Sequence, residues 1–146
     1  MFQFSSTPLE QFGLREGAID PSIGAFSSFE GFVRNQNNGK QVIALEYEAA
    51  EELCQKEAEK ILGEAKEKFG VIDLRCYHRV GKLMVGEMAV WVGISAGHRD
   101  EAFKACRYVI DEIKKRLPIW KKEYYTEGDS GWVGCEPRMY HVPRDT

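Results

Sequence analysis

Cysteine is scarce and scattered in this chain: Cys54, Cys76, Cys106 and Cys135 are its four, and no two form a C-x-x-C pair. An ordinary structural zinc site needs two such pairs of donors. Cys76 and His78 supply one, and no second has suitable spacing. The opening Met1-Phe2-Gln3-Phe4-Ser5 lacks the basic-then-apolar build of a secretion signal. The thiols are therefore expected to be free and buried in a cytoplasmic protein rather than joined as disulfides. Long apolar runs are missing too. No stretch reaches the roughly 18 residues that cross a bilayer, so no membrane partner is expected. Neither G-x-x-x-x-G-K-S/T nor G-x-G-x-x-G occurs, which removes two common nucleotide-phosphate loops. There is no internal repeat, low-complexity tract or linker.

An excess of positive charge is also absent: 20 Lys and Arg stand against 23 Asp and Glu, a net charge of −3. Duplex affinity leans on many phosphate contacts, so a nucleic-acid partner is disfavoured. With 146 residues, 43% of them hydrophobic, the chain reads as one domain over residues 1–146, with a frayed tail from about residue 137. Against this acidic background, five of the nine residues from Lys114 to Lys122 are basic. Cations gathered against the global sign suggest an anionic ligand.

The pattern of elements predicts an α+β domain. A strand over Phe2–Ser5 leads to a brief helix started by Ser6-Thr7-Pro8-Leu9-Glu10. Gly24–Val33 reads as a strand and Asn35-Gln36-Asn37-Asn38-Gly39 as a loop. A strand over Val42–Glu48 is expected to put Ile43, Leu45 and Tyr47 on one face. Ala50–Phe69 is a helix with Cys54, Ala58, Ile61, Leu62, Ala65 and Phe69 inward; Glu52/Lys56 and Glu64/Lys68 are favourable pairs, and Gly70 ends it. Strands follow at Ile72–Val80 and Met88–Ile94, the second buried on both faces. A second helix from about Arg99 to Leu117 carries Phe103, Cys106, Ile110, Ile113 and Leu117 inward and stops at Pro118. Ile119–Tyr125 and Gly131–Gly134 close the chain as strands.

Lys114 and Lys121 are the leading candidates for chemistry. Lys114 lies one turn before the helix end, Pro118 turns the chain, and Trp120 can anchor it so that Lys121 converges on the same anion. The same lysines are also what a helix C-terminus favours through its dipole. His98 and Arg99, at the start of the second helix, form an anion cradle or merely a strand-to-helix turn. Arg34 leaves a strand for a loop, as a binding residue or as an ordinary surface cation. His78 shares the apolar parity of its strand and reads as a satisfied core histidine. Trp91, Trp120 and Trp132 read as core or interface aromatics.

Taken together the motifs resemble the catalytic (large) subunit of molybdopterin synthase. The likeness runs from about Gly24 to Trp132. It is carried by Gly31-x-Val33-Arg34-Asn35, His78-Arg79-Val80-Gly81, Val92-Gly93-Ile94-Ser95-Ala96-Gly97-His98-Arg99 and Lys114-x-Arg116-x-Pro118-x-Trp120-Lys121-x-Glu123. The resemblance implies an α/β-hammerhead type of fold, two long helices on a mixed and antiparallel sheet. It also implies a sulfur transferase of molybdenum-cofactor synthesis. In that family a small ubiquitin-like subunit brings sulfur as a thiocarboxylate on its C-terminal Gly-Gly. Two transfers to cyclic pyranopterin monophosphate build the dithiolene. No resident cofactor or metal is implied. The expected assembly is a homodimer of large subunits with a small subunit at each end, a heterotetramer.

Carried over, the substrate-binding segments are Phe32-Val33-Arg34, His98-Arg99, Lys114 and Lys121-Lys122-Glu123. Arg34, His98 and Arg99 would hold phosphate and pterin, the His-Arg pair reaching in from the other protomer. Lys114 and Lys121 would be catalytic, steadying negative charge and moving protons with lowered pKa values. Phe32 stands where a lysine is common, and Arg138 is the nearest late arginine. The strand Ile119–Tyr125 is a candidate edge for pairing with the partner's tail. The competing reading is a non-catalytic dimeric interaction scaffold of the same fold.

Overall fold

The computed structural model describes residues 1–16, 20–126 and 130–133, the last four through backbone pairing alone. The frayed tail, Cys135 and Arg138 lie outside the described residues. In chain order the elements are β1 (Phe2–Ser5), a 3-10 turn (Leu9–Gln11), β2 (Ala25–Phe32), β3 (Gln36–Asn37), β4 (Lys40–Ala49), α1 (Glu51–Phe69), β5 (Asp73–Arg79), β6 (Gly81–Met84), β7 (Met88–Ala96), α2 (Arg99–Arg116), β8 (Ile119–Tyr125) and β9 (Ser130–Val133). The α+β architecture is the one expected.

One sheet has the order β1-β5-β7-β2; β1 and β5 run parallel and the other neighbours antiparallel. Both helices cover one of its faces. Cys54, Ala58, Ile61, Leu62 and Ala65 of α1 meet Ala102, Ala105, Cys106, Val109, Ile110 and Ile113 of α2 over Cys76, Val90, Val92 and Ile94. The other face packs under Leu9, Leu14 and Phe12, with Trp91 fully buried there. All nine residues of β7 are buried, as its unbroken apolar run predicts. Gly93 lies so close to the Trp91 ring that a β-carbon would strike it. The second sheet, β3-β4-β8-β9 with β6 on the free side of β4, is antiparallel. A smaller core of Val33, Val42, Leu45, Leu83 and Ala89 lies against it.

Five details differ from the sequence-based expectation. Asn35–Gly39 holds a tight hairpin, because Asn38 (φ 53°) and Gly39 (φ 77°) adopt the left-handed pair that lets Asn37 face Lys40. In β4 a bulge between Val42 and Ala44 breaks the alternation, so Ile43 turns to solvent while Leu45 stays buried. Phe103 is 62% exposed; Ala102, one position back, takes the inward place on α2, and one position is a 100° rotation. Strand β6 had no separate signal. Finally, β8 is not an edge: β4 and β9 flank it, so it has no open row of amides for a partner's tail along Lys121–Tyr124.

Arg116 ties α1 to α2. Its Nε donates to Glu57 (2.7 Å) and its Nη1 and Nη2 to the two oxygens of Glu64 (2.7 and 3.1 Å), with Glu112 at 3.1 Å. Glu64, expected to serve Lys68, is claimed by Arg116 and by the Tyr108 hydroxyl at 2.7 Å. Lys68 instead lies over the Phe69 and Tyr108 rings. Those hydrogen bonds hold the Glu64 carboxyl down at about 2 from an ordinary 4.5. Its depressed value means its stabilisation is complete above about pH 4.5 and drains away as pH falls toward 2. Arg116→Met should lower Tm at neutral pH by about 3 °C, for a partly exposed network worth roughly 1 kcal/mol. In thermal melts the gap from wild type should close on acidification toward pH 2; a gap independent of pH would contradict the assignment.

Candidate functional site

The last turns of α2 present Ile110, Ile113, Lys114 and Leu117 to one side, and Lys114 is the member at the solvent rim. Leu117 is fully buried at the helix end. The Pro118 carbonyl accepts from the Ala50 amide (3.2 Å) and the Cys54 thiol (3.5 Å) at the start of α1. The chain leaves this junction as β8, where alternation sends Ile119, Lys121 and Glu123 one way and Trp120, Lys122 and Tyr124 the other. Tyr47 and Leu45, opposite Lys121 and Glu123 on β4, share the first face.

These faces enclose a cavity of about 460 Å³. One part of its wall is apolar, from Phe29, Phe32, Val42, Leu45, Val90 and the α2 residues; Arg34, Lys114, Lys121, His78, Asn37 and Glu123 supply polar groups. Glu123 is 2% exposed. It accepts from Asn37 Nδ2 (2.7 Å) and the Tyr125 hydroxyl (2.5 Å), and the Lys121 ammonium stands 3.7 Å away. His78 is buried with Nδ1 2.8 Å from the Arg79 carbonyl. A carbonyl only accepts, so Nδ1 carries the proton. Burial, reinforced by the Lys114 ammonium and opposed by that hydrogen bond, pulls His78 from 6.5 down to about 4. The imidazole is neutral at physiological pH.

A family model described as MoaE protein matches residues 4–116, more than half of the chain. The chain belongs to the MoaE family. Relatives of this MoaE chain are named molybdopterin synthase catalytic subunit, an enzyme. The Synechococcus elongatus protein is 45% identical over 90% of this chain and 80% of its own length. That of Pyrococcus abyssi is 43% identical over 92% and 90%. The crystal structure of molybdopterin synthase from Staphylococcus aureus superposes with a TM-score of 0.84 at 35% identity, covering 91% of this chain and 96% of that one.

Of the residues singled out in this MoaE sequence, Phe32, Arg34, Lys114, Lys121 and Glu123 line the cavity. Val33 does not; it is 3% exposed in the smaller core. Lys122 points from the opposite face of β8 and lies over the Tyr124 ring at 5.2 Å. His98 and Arg99 are exposed at the N-terminal end of α2. Arg99 is fifteen positions before Lys114, about 22 Å along the helix at 1.5 Å per residue. A single chain therefore does not bring the His-Arg pair to its own lysines.

Asn37 and His78 are cavity residues that the sequence pattern does not mark as such: Asn37 reads as loop chemistry and His78 as a core histidine, and His78 is buried but also lines the cavity. Only the alternation of Leu74, Cys76 and His78 hinted at its direction. The three described cysteines, Cys54, Cys76 and Cys106, are buried thiols outside any disulfide. Burial pushes the Cys76 thiol up to about 12, so it supplies no thiolate. Gly93-Ile94-Ser95-Ala96-Gly97 spells the G-x-S-x-G of a hydrolase elbow, but Ser95 is 1% exposed inside β7 rather than lifted on a turn.

The unfolded chain takes up a proton on His78 near pH 6.5 that the folded chain refuses until about pH 4. Stability is therefore lost as pH falls through that window. His78→Phe should show a flatter Tm between those two values than wild type. Parallel curves would mean that His78 titrates normally.

Proposed function

We propose that this chain is the sulfur-transferring subunit of a molybdopterin synthase. It would convert cyclic pyranopterin monophosphate to molybdopterin with sulfur from the C-terminal thiocarboxylate of a small ubiquitin-like partner ending in Gly-Gly. The observation that carries the reading is the convergence of Lys114 and Lys121, from α2 and β8, on one cavity of about 460 Å³ in a MoaE chain. A part-apolar, part-cationic pocket of that size suits a flat heterocycle bearing a phosphate.

Arg34 at the mouth meets the phosphate, and the apolar wall from Phe29, Phe32 and Val90 meets the ring. Lys114 and Lys121 stabilise charge that develops as sulfur bonds to carbon, and they move protons as the phosphate ring opens. Sulfur arrives with the partner, so the reaction uses no resident cofactor and no cysteine of this chain. The remoteness of His98 and Arg99 from their own lysines supports a homodimer in which each protomer completes the other's site. With the small subunit added, the assembly is a heterotetramer.

Purified chain, thiocarboxylated partner and cyclic pyranopterin monophosphate are mixed and assayed for dithiolene-bearing molybdopterin. Lys114→Ala should abolish turnover, a loss of at least about a hundred-fold, with an unchanged circular dichroism spectrum, since Lys114 sits at the rim. A stable complex with the partner that yields no product from wild type would favour a scaffold.

A further inference from the structure

Glu123 is the one buried acid among the described residues, at 2% exposure. A carboxylate taken out of water is costly unless donors and a counter-charge meet it. Here both oxygens are met. Asn37 Nδ2 donates to Oε2 at 2.7 Å and the Tyr125 hydroxyl to Oε1 at 2.5 Å. The donors come from different strands, β3 and β8, so the carboxylate is held from two sides. Asn37 is itself 4% exposed, with its Oδ1 buried and without a partner among the described residues. The carboxylate sets the amide's orientation, since turning it over would aim one acceptor oxygen at another. The Lys121 ammonium lies 3.7 Å from Oε2, an ion pair rather than a direct hydrogen bond.

We propose that Asn37, Glu123 and Tyr125 are a positioning triad for Lys121. The carboxylate, fixed by two donors, is the counter-charge that orients the ammonium and holds its proton until transfer. Glu123 thus acts through Lys121 rather than on substrate. The inference rests on the reading that Lys121 is catalytic. The other titratable groups on the cavity wall are Arg34 after β2, Lys114 of α2, Glu30 of β2, Tyr47 of β4 and His78 of β5. Among them the triad alone holds an acid out of solvent beside a catalytic lysine.

Tyr125→Phe deletes one donor and keeps the ring that Lys40 overlies at 4.9 Å. Glu123→Gln keeps shape and deletes charge, and the Tyr125 hydroxyl can reverse to accept from the new amide. Two readouts separate positioning from bulk structure. The first is the rate at which dilute acetic anhydride acylates Lys121 near neutral pH, read by mass spectrometry against exposed Lys104. It should rise about three-fold or more in Glu123→Gln and less in Tyr125→Phe, because an ammonium without its counter-charge gives up its proton more readily. The second is turnover. kcat should fall about ten-fold or more in Glu123→Gln, with KM for the pterin within about two-fold.

Unchanged Lys121 reactivity and kcat in both variants would overturn the triad. So would a raised KM at constant kcat, which would make Glu123 a substrate ligand. If Glu123→Gln does not fold, Tyr125→Phe alone decides, since Tyr125 is only partly buried. Shifted acylation in a chain whose wild type makes no product would leave the triad standing and remove the functional reading.

Discussion

The lysine pair of the candidate site depends on the junction between α2 and β8. Leu117 is fully buried, and the Pro118 carbonyl is engaged by the first turn of α1 through the Ala50 amide and the Cys54 thiol. The end of one helix is thus bolted to the start of the other, both already fused by a shared apolar core. Because proline cannot continue the helix, the chain must leave as a strand from a fixed point. Lys114 stands four residues before that point and Lys121 three after it, one placed by helical and the other by strand periodicity. Neither lysine needs to find the other, since the backbone has settled their separation.

The cationic run divides its labour accordingly. Arg116 faces away from the cavity and is consumed by Glu57, Glu64 and Glu112, while Lys115 reaches Glu112 at 3.4 Å on the surface. Lys122 lies on the outer face of β8. Lys114 and Lys121 line the cavity. A charge cluster that reads as one anion site in the sequence is, in three dimensions, a structural clamp beside a pair of cavity lysines. The clamp keeps the helix under Lys114 from shifting.

What the sequence revealed and what it concealed follow from range. Both helices, β1 and β8 were legible within a residue or two, because periodicity and punctuation such as Gly70 and Pro118 are local signals. Phe103 matches the inward period in the sequence, yet Ala102, small and unassertive in a pattern, takes that place under the sheet. Ile43 turns outward at a bulge that the partner strand decides and the local pattern does not show. In the site, the two lysines could be suspected from Pro118 between them. The bond from Asn37 to Glu123 joins residues 86 positions apart, and nothing near either one announces it. His78 could be read as buried, but that its burial is also a cavity wall depends on α2 and β4. Its neutral state follows from the same enclosure.

With His78 neutral, the formal charges on the cavity wall are those of Arg34, Lys114 and Lys121 against Glu30 and Glu123, which leaves a single net positive charge. So small an imbalance gives the cavity little long-range pull. The cyclic phosphate of the proposed substrate, a diester with one negative charge, brings that wall to neutrality rather than discharging a strongly electropositive well. Discrimination among anions must then come from where donors sit and not from how much charge they sum to. Affinity should depend only shallowly on ionic strength, unlike that of a basic groove whose hold weakens with every added counterion.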